Sequence, residues 1–304
     1  FLNCSSLSDF GTTDLKNCTN FASAWKSCSA LQQFPADAKL GTEANNVNFQ
    51  NAWLSSGLIS FSTPLPSAVN VLSGWGGCGS LQSFSTELPL VTDARYAWQN
   101  CSSLSDFRTT DIKNCLYFGS AWKGCTALTS FPAGAKLGTE ATTVNFTSAW
   151  QSSGLTSFPA DIDLSKGGMF LDTWRGTDLT SFSTPITGVN AKRMQRAWHS
   201  CTGLTDFSYN VFANWNPSII LTQVFDSTWD GCTSLTAQSV ENILTSINAS
   251  GQHGTDDGTS TGSPLGDAGI DIDFNGDPLS AATNAAVDSL KAKGWSIIVN
   301  NVTL

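Results

Sequence analysis

Phe118-Gly-Ser-Ala-Trp122-Lys-Gly-Cys125-Thr-Ala-Leu128-Thr-Ser-Phe131-Pro132 decides the reading of this chain, because the same phrase returns along most of its length. Counted from the tryptophan, it recurs at Trp25, Cys28, Leu31, Phe34, at Trp75, Cys78, Leu81, Phe84, at Trp98, Cys101, Leu104, Phe107 and at Trp198, Cys201, Leu204, Phe207. A form one residue shorter lacks the cysteine and begins at Trp53, Trp150 and Trp174. The last copy, Trp229, Cys232, Leu235, has Gln238 in the Phe slot, and Phe1 fills the Trp slot of an opening unit. The ten markers lie 22 to 31 residues apart, the period of a stacked-coil repeat.

A second periodicity overlies the first. Residues 1–53 match 98–150 at an offset of 97, with 37 of 53 positions identical. Such a four-coil duplication is tolerated where each unit touches only its neighbours.

An aromatic or large apolar residue stands four places before most tryptophans, as in Phe21, Phe49, Phe118, Phe146, Phe170, Met194 and Phe225. With the Cys, the spacing i, i+4, i+7 predicts a short helix or 3₁₀ segment in each coil. Leu-x-x-Phe, followed by Pro at 35, 132 and 159, reads as the turn into a short extended segment. Those segments should align as a parallel sheet.

The phrase Phe-x-x-Ala-Trp-x-x-Cys-x-x-Leu-x-x-Phe resembles the BspA-like branch of leucine-rich repeats over about 230 residues. That resemblance implies a bacterial-surface, secreted or phage-encoded protein that binds a partner. The expected fold is an α/β repeat: a leucine-rich-repeat-like solenoid of about ten coils over 1–238, closed by a small C-terminal α/β capping module over 239–304. In that module a helix N-capped by Ser239 carries Val240, Ile243, Leu244 and Ile247 on one face. A Gly/Ser/Thr/Asp loop over 249–266, a strand through Ile270, Ile272 and Phe274, a helix over 280–293 and a strand over 296–299 follow. Its wording also resembles the ends of phage-encoded repeat proteins. Phe1 enters in mid-phrase, so further coils or an anchoring domain are expected before it.

Composition narrows the function. With 15 Lys+Arg against 24 Asp+Glu the net charge is −9, which leaves no basic surface for nucleic acid. No apolar run is long enough for membrane insertion. The two histidines, His199 and His253, exclude a three-His zinc site and leave little for a hydrolase triad. His199 reads as a solvated helix residue, and His253 sits in a Gly-rich loop with Asp256 and Asp257. The expectation is therefore no enzyme and no cofactor.

Seven of the nine cysteines share one phase beside the Trp and read as buried free thiols. Cys18 and Cys115, outside that phase, leave an intracoil disulfide to Cys28 and Cys125 open. Asp271, Asp273, Asn275 and Asp277 imitate the start of a calcium loop. Ala282 occupies its twelfth position and the pattern suits a strand equally, so no metal is expected.

Low charge and abundant Ser, Thr, Asn and Gln point to a recognition surface on a virion, an extracellular protein or a cell surface, contacting a host-surface glycan or protein. The candidate ligand-binding residues are the variable pair between the repeat Leu and Phe: Gln32, Gln33, Gln82, Ser105, Asp106, Thr129, Ser130, Thr205 and Asp206. The alternative is a structural spacer or decoration that self-associates or touches only its virion neighbours.

Burying one Trp removes about 150 to 250 Å² from water, a gain of about 4 to 6 kcal/mol before entropy. Trp122→Ala should therefore cost about 3 to 5 kcal/mol in denaturant unfolding, and Thr129→Ala within about 0.5. Equal losses would reject the assignment of core and surface phases.

Overall fold

A computed structural model describes residues 1–11, 14–218, 220, 223–254, 268–273 and 280–304. The chain is a β-solenoid of about eight turns with few helices. The repeat solenoid is thus as expected, but the leucine-rich-repeat type and the ten coils are not. Nine repeat tryptophans delimit eight intervals, and Phe1, in the Trp slot of the opening unit, is 61% exposed and lies outside the core. Two compact units divide the chain, Phe1–Val144 with Ala149–Leu155, and Asn145–Ser148 with Thr156–Leu304.

The predicted helix before each Trp is replaced by linked turns, for a reason visible in the backbone of Phe21–Cys28. Ala24, Lys26 and Cys28 donate their N–H groups three residues back, to Phe21, Ser23 and Trp25, at 3.0, 3.4 and 3.3 Å. Phe21, Ser23, Trp25 and Ser27 donate theirs to Asn48, Gln50, Ala52 and Leu54 of the next coil, at 2.7 to 2.9 Å. A helix would keep every amide inside itself. Here alternate amides are turned along the stack by left-handed residues two places either side of the Trp, Ser23 (φ 57°) and Ser27 (φ 59°). The same two positions are left-handed around all nine repeat tryptophans, including Asn51 and Ser55, Ser73 and Gly77, and Asp172 and Gly176. An ordinary side chain there costs roughly 1–2 kcal/mol, which is why Ser, Asn, Asp and Gly fill most of them.

In the first unit Trp25, Trp53, Trp75, Trp98, Trp122 and Trp150 stack with centroids 5.1 to 5.8 Å apart and planes within 11°. Phe34, Phe61, Phe84, Phe107 and Phe131 form a second column edge-on to the indoles. In the second unit Trp174, Trp198 and Trp229 stack at 5.1 and 5.8 Å.

The phase-sharing cysteines link coils without oxidation. Cys78, Cys101 and Cys125 donate their Sγ–H to the carbonyls of Trp53, Trp75 and Trp98 at 3.0 to 3.1 Å, and Cys201 and Cys232 treat Trp174 and Trp198 alike. All nine cysteines are free, which overturns the disulfide alternative: Cys115 is buried and donates to the Tyr117 carbonyl, while Cys18 is exposed. Cys4, expected in the core phase, is also exposed, because none of the described residues packs a coil over its outer side. In two of the three short coils, those of Trp53 and Trp150, a glycine follows the residue in the Cys slot, since a Cβ on Gly57 or Gly154 would lie 2.0 or 2.1 Å from the carbonyl oxygen of Ser29 or Thr126.

Extended segments are two or three residues long and pair in parallel. Ser60–Phe61, Ser83–Phe84 and Asp106–Phe107 form one sheet, and Ser181–Phe182 pairs with Asp206–Phe207. Two residues beyond Phe61, Phe84 and Phe107, a buried threonine reaches back one coil: Thr63 donates to the Pro35 carbonyl, Thr86 to Thr63 and Thr109 to Thr86, at 2.8 to 2.9 Å.

In the second unit the strands Phe225–Trp229, Ala268–Ile272 and Trp295–Val299 run parallel, with Val302–Thr303 antiparallel at the edge. The helices Ala237–Ala249 and Ala281–Ala292 connect them. The first helix is capped by Thr236, not Ser239. Ser239 is buried instead, donating to the Thr205 carbonyl and accepting the Phe207 N–H. Phe274 and most of the predicted 249–266 loop lie outside the described residues. The last repeat strand is thus also an edge of the C-terminal sheet, so Phe225 packs 5.9 Å from Trp295.

Burial pushes the Cys78 thiol up to about 11 and the Cys125 thiol up to about 12. A thiolate-specific reagent at pH 8 should therefore label Cys4 and Cys18 in the native protein and all nine cysteines only after denaturation. Rapid native labelling of Cys101 or Cys125 would reject this packing.

Candidate functional site

The nine candidate ligand-binding residues all lie at the surface between a buried Leu and a buried Phe. In the first unit the structure places them on a backbone ladder: Ile59 N–H donates to Gln32 O, Gln82 to Ile59 O, and Ser105 and Asp106 both to Gln82 O. Asp106 is bound by Arg108, with Nε and Nη2 donating to its two oxygens at 2.8 and 2.6 Å. Gln33, Thr129 and Ser130 are exposed on the same phase.

In the second unit Thr205 belongs to a column the candidate set left incomplete. Thr180 Oγ1 donates to Thr156 O, Thr205 Oγ1 to Thr180 O and Thr236 Oγ1 to Thr205 O, at 3.0 to 3.3 Å. Each hydroxyl proton is spent on the preceding coil, so the oxygens present acceptors outward. The signal was legible, because Thr follows the repeat Leu at 155, 179, 204 and 235. Asp206 lies beside Thr205, exposed.

His199 is not a solvated helix residue. Its side chain is 21% exposed, it sits in a turn, Ser200 Oγ lies 2.7 Å from its Nδ1, and Asp230 Oδ2 lies 3.4 Å from its Nε2. Asp230 neighbours Asp273, which accepts the Gly231 N–H at 2.9 Å. Although Ser, His and Asp are thus in line, the Ser200 slot holds Ser27, Ser55 and Ser152 in coils without histidine, so its geometry belongs to the repeat. Of the calcium-loop candidates, Asp273 binds backbone, the Asp271 side chain is not described, and Asn275 and Asp277 lie outside the described residues, as do Asp256 and Asp257 near His253. Among the described residues no group of three or more His, Cys, Asp or Glu could hold a metal ion. None of their helices is long and apolar enough to cross a membrane.

The first unit also carries a shallow, mostly apolar pocket of ≈ 320 Å³ lined by Pro64, Leu65, Pro66, Glu87 and Pro89. Glu87 is not free for a ligand there. It accepts the N–H groups of Thr110 and Asp111 and the Thr110 hydroxyl, at 2.6 to 3.1 Å.

No family model matches the chain, and no curated protein or solved structure is significantly similar to it.

Partial burial, the hydrogen bond with Asp273 and that group's charge together raise the Asp230 pKa above 3.8, against the opposing charge of His199. A raised acid favours folding when protonated, and that contribution is lost as pH rises through the folded pKa. Relative to Asp230→Asn, the native protein should gain stability as pH falls from 7 toward 4. A difference in urea midpoint that stays constant with pH would count against the carboxylate pair.

Proposed function

We propose that the chain is a non-enzymatic recognition module, carried on a virion or a cell surface, that binds a host-surface glycan or protein through its repeated polar faces. The observation that carries this reading is the exposed ladder of hydroxyl and amide side chains, with Asp106 and Asp206 among them, on a backbone held by coil-to-coil bonds. Such a face is preorganised, so a ligand meets it at little conformational cost. The resemblance of the repeat phrase to BspA-like leucine-rich repeats supports a surface location. The four-coil duplication favours a second reading, a spacer that contacts only its own copies or its virion neighbours, because a spacer can change length and still work.

Purified protein should bind saturably to some members of a panel of bacterial cells, and heat-denatured protein, as an unfolded control, should lose that binding. A folded protein that binds no cell type in the panel would overturn the recognition reading and favour the spacer.

A further inference from the structure

Two of the nine left-handed positions that precede the repeat tryptophans hold bulky side chains, Tyr96 (φ 59°) and Arg196 (φ 55°). Bulky residues are rare in this conformation and signal a local cost that something else offsets. For Arg196 the compensation is internal, since its Nε and Nη2 donate to the two oxygens of Asp172, one coil back, at 2.9 and 3.0 Å. Tyr96 has no such return. The residue is 43% exposed, and among the described residues its hydroxyl has no hydrogen-bond partner.

A second departure from the repeat lies beside it. Five residues before the tryptophan, Asn20, Asn48, Asn70 and Asp93 each accept an N–H from two residues on, at 2.9 to 3.0 Å. Tyr117 occupies that column next to Asp93, with which it forms a parallel bridge. It stands where the duplicated block has Asn20, forfeits that turn bond and is 45% exposed. Arg95 stands next to Tyr96 in the chain and lies over the Tyr117 ring. Its guanidinium carbon lies 5.3 Å from the Tyr117 ring centroid, its Nε and Nη2 are held by Asp93 at 2.7 to 3.2 Å, and both phenols lie near enough to raise its pKa, after the larger effect of Asp93. Two of the chain's three tyrosines thus lie near one Arg–Asp pair, Tyr117 under the guanidinium and Tyr96 beside Arg95 in sequence.

We propose that Asp93, Arg95, Tyr96 and Tyr117 form a binding site for a neutral pyranose unit of a surface polysaccharide. This rests on the recognition reading and assigns it a site in a column different from the Leu-to-Phe face. The C–H face of a pyranose suits the electron-rich face of an exposed tyrosine. The Nη1 donors that Arg95 does not spend on Asp93, together with the Tyr96 and Tyr117 hydroxyls, suit its hydroxyl groups. A neutral sugar is favoured over an acidic one because Asp93 already neutralises Arg95 and the chain carries a net charge of −9.

The test is an array of neutral and acidic pyranose oligosaccharides, probed with the native protein and with Tyr96→Ser and Tyr117→Asn, which restore the residues the repeat uses elsewhere. Native binding to a neutral glycan should fall at least tenfold in each variant, while the melting temperature stays the same or rises. Unchanged glycan affinity in both variants overturns the site and leaves surface recognition standing. Binding to cells but to no neutral glycan on the array overturns the sugar assignment alone. Binding to neither cells nor glycans overturns both.

Discussion

One distance governs the molecule: coils must approach closely enough for alternate backbone amides to bond across them, and the side chains between must tolerate that spacing. Flat rings do so by lying parallel, as the indoles do at 5.1 to 5.8 Å within each unit. The cost is visible in the indole N–H groups of Trp25, Trp53, Trp75, Trp98, Trp122, Trp198 and Trp229, which are buried without a hydrogen-bond partner among the described residues. Each such group costs about 1–3 kcal/mol, less than the roughly 4 to 6 kcal/mol gained by burying the ring. Stacking therefore wins over hydrogen bonding at these seven repeats. Outside the repeat, Trp215 and Trp295 follow the usual rule and donate to the carbonyls of Ala191 and Gln252.

The beat of Trp, Cys, Leu and Phe made the stacking and the core columns legible in the sequence, because a residue type fixed at one phase has to recur at one place in each turn. Local conformation was harder to read. Phe21, Trp25 and Cys28 have the spacing of a helical face, yet the same spacing arises when linked turns send every second amide to the neighbouring coil. The discriminating signal was Ser, Asn, Asp or Gly two places either side of most repeat tryptophans, as at 23 and 27 or 51 and 55. Helix formers would have stood there had the segment been helical. The cap at Thr236 was displaced from Ser239 because Ser239 was needed below, against Thr205 and Phe207.

The polar face was legible as a phase, since any residue between the Leu and Phe ladders must point outward. The tyrosine cluster was not, because Asp93, Arg95 and Tyr96 belong to one coil and Tyr117 to the next, and only the stacking register brings Tyr117 beside Asp93. What marks the cluster is the breaking of two repeat rules at adjacent places. A repeat supplies its own reference: each coil shows what the fold requires, so a coil that departs at a cost in local stability records a demand from elsewhere.

The parallel indoles have an optical consequence. Transition dipoles held face to face a few ångströms apart exchange excitation faster than any one of them emits, so within each unit the tryptophan column behaves as a shared chromophore. Light absorbed at Trp25 is free to migrate ring by ring toward Trp150. One altered ring would then dim or shift the emission of several, making the column a built-in gauge of whether the coils between are in register.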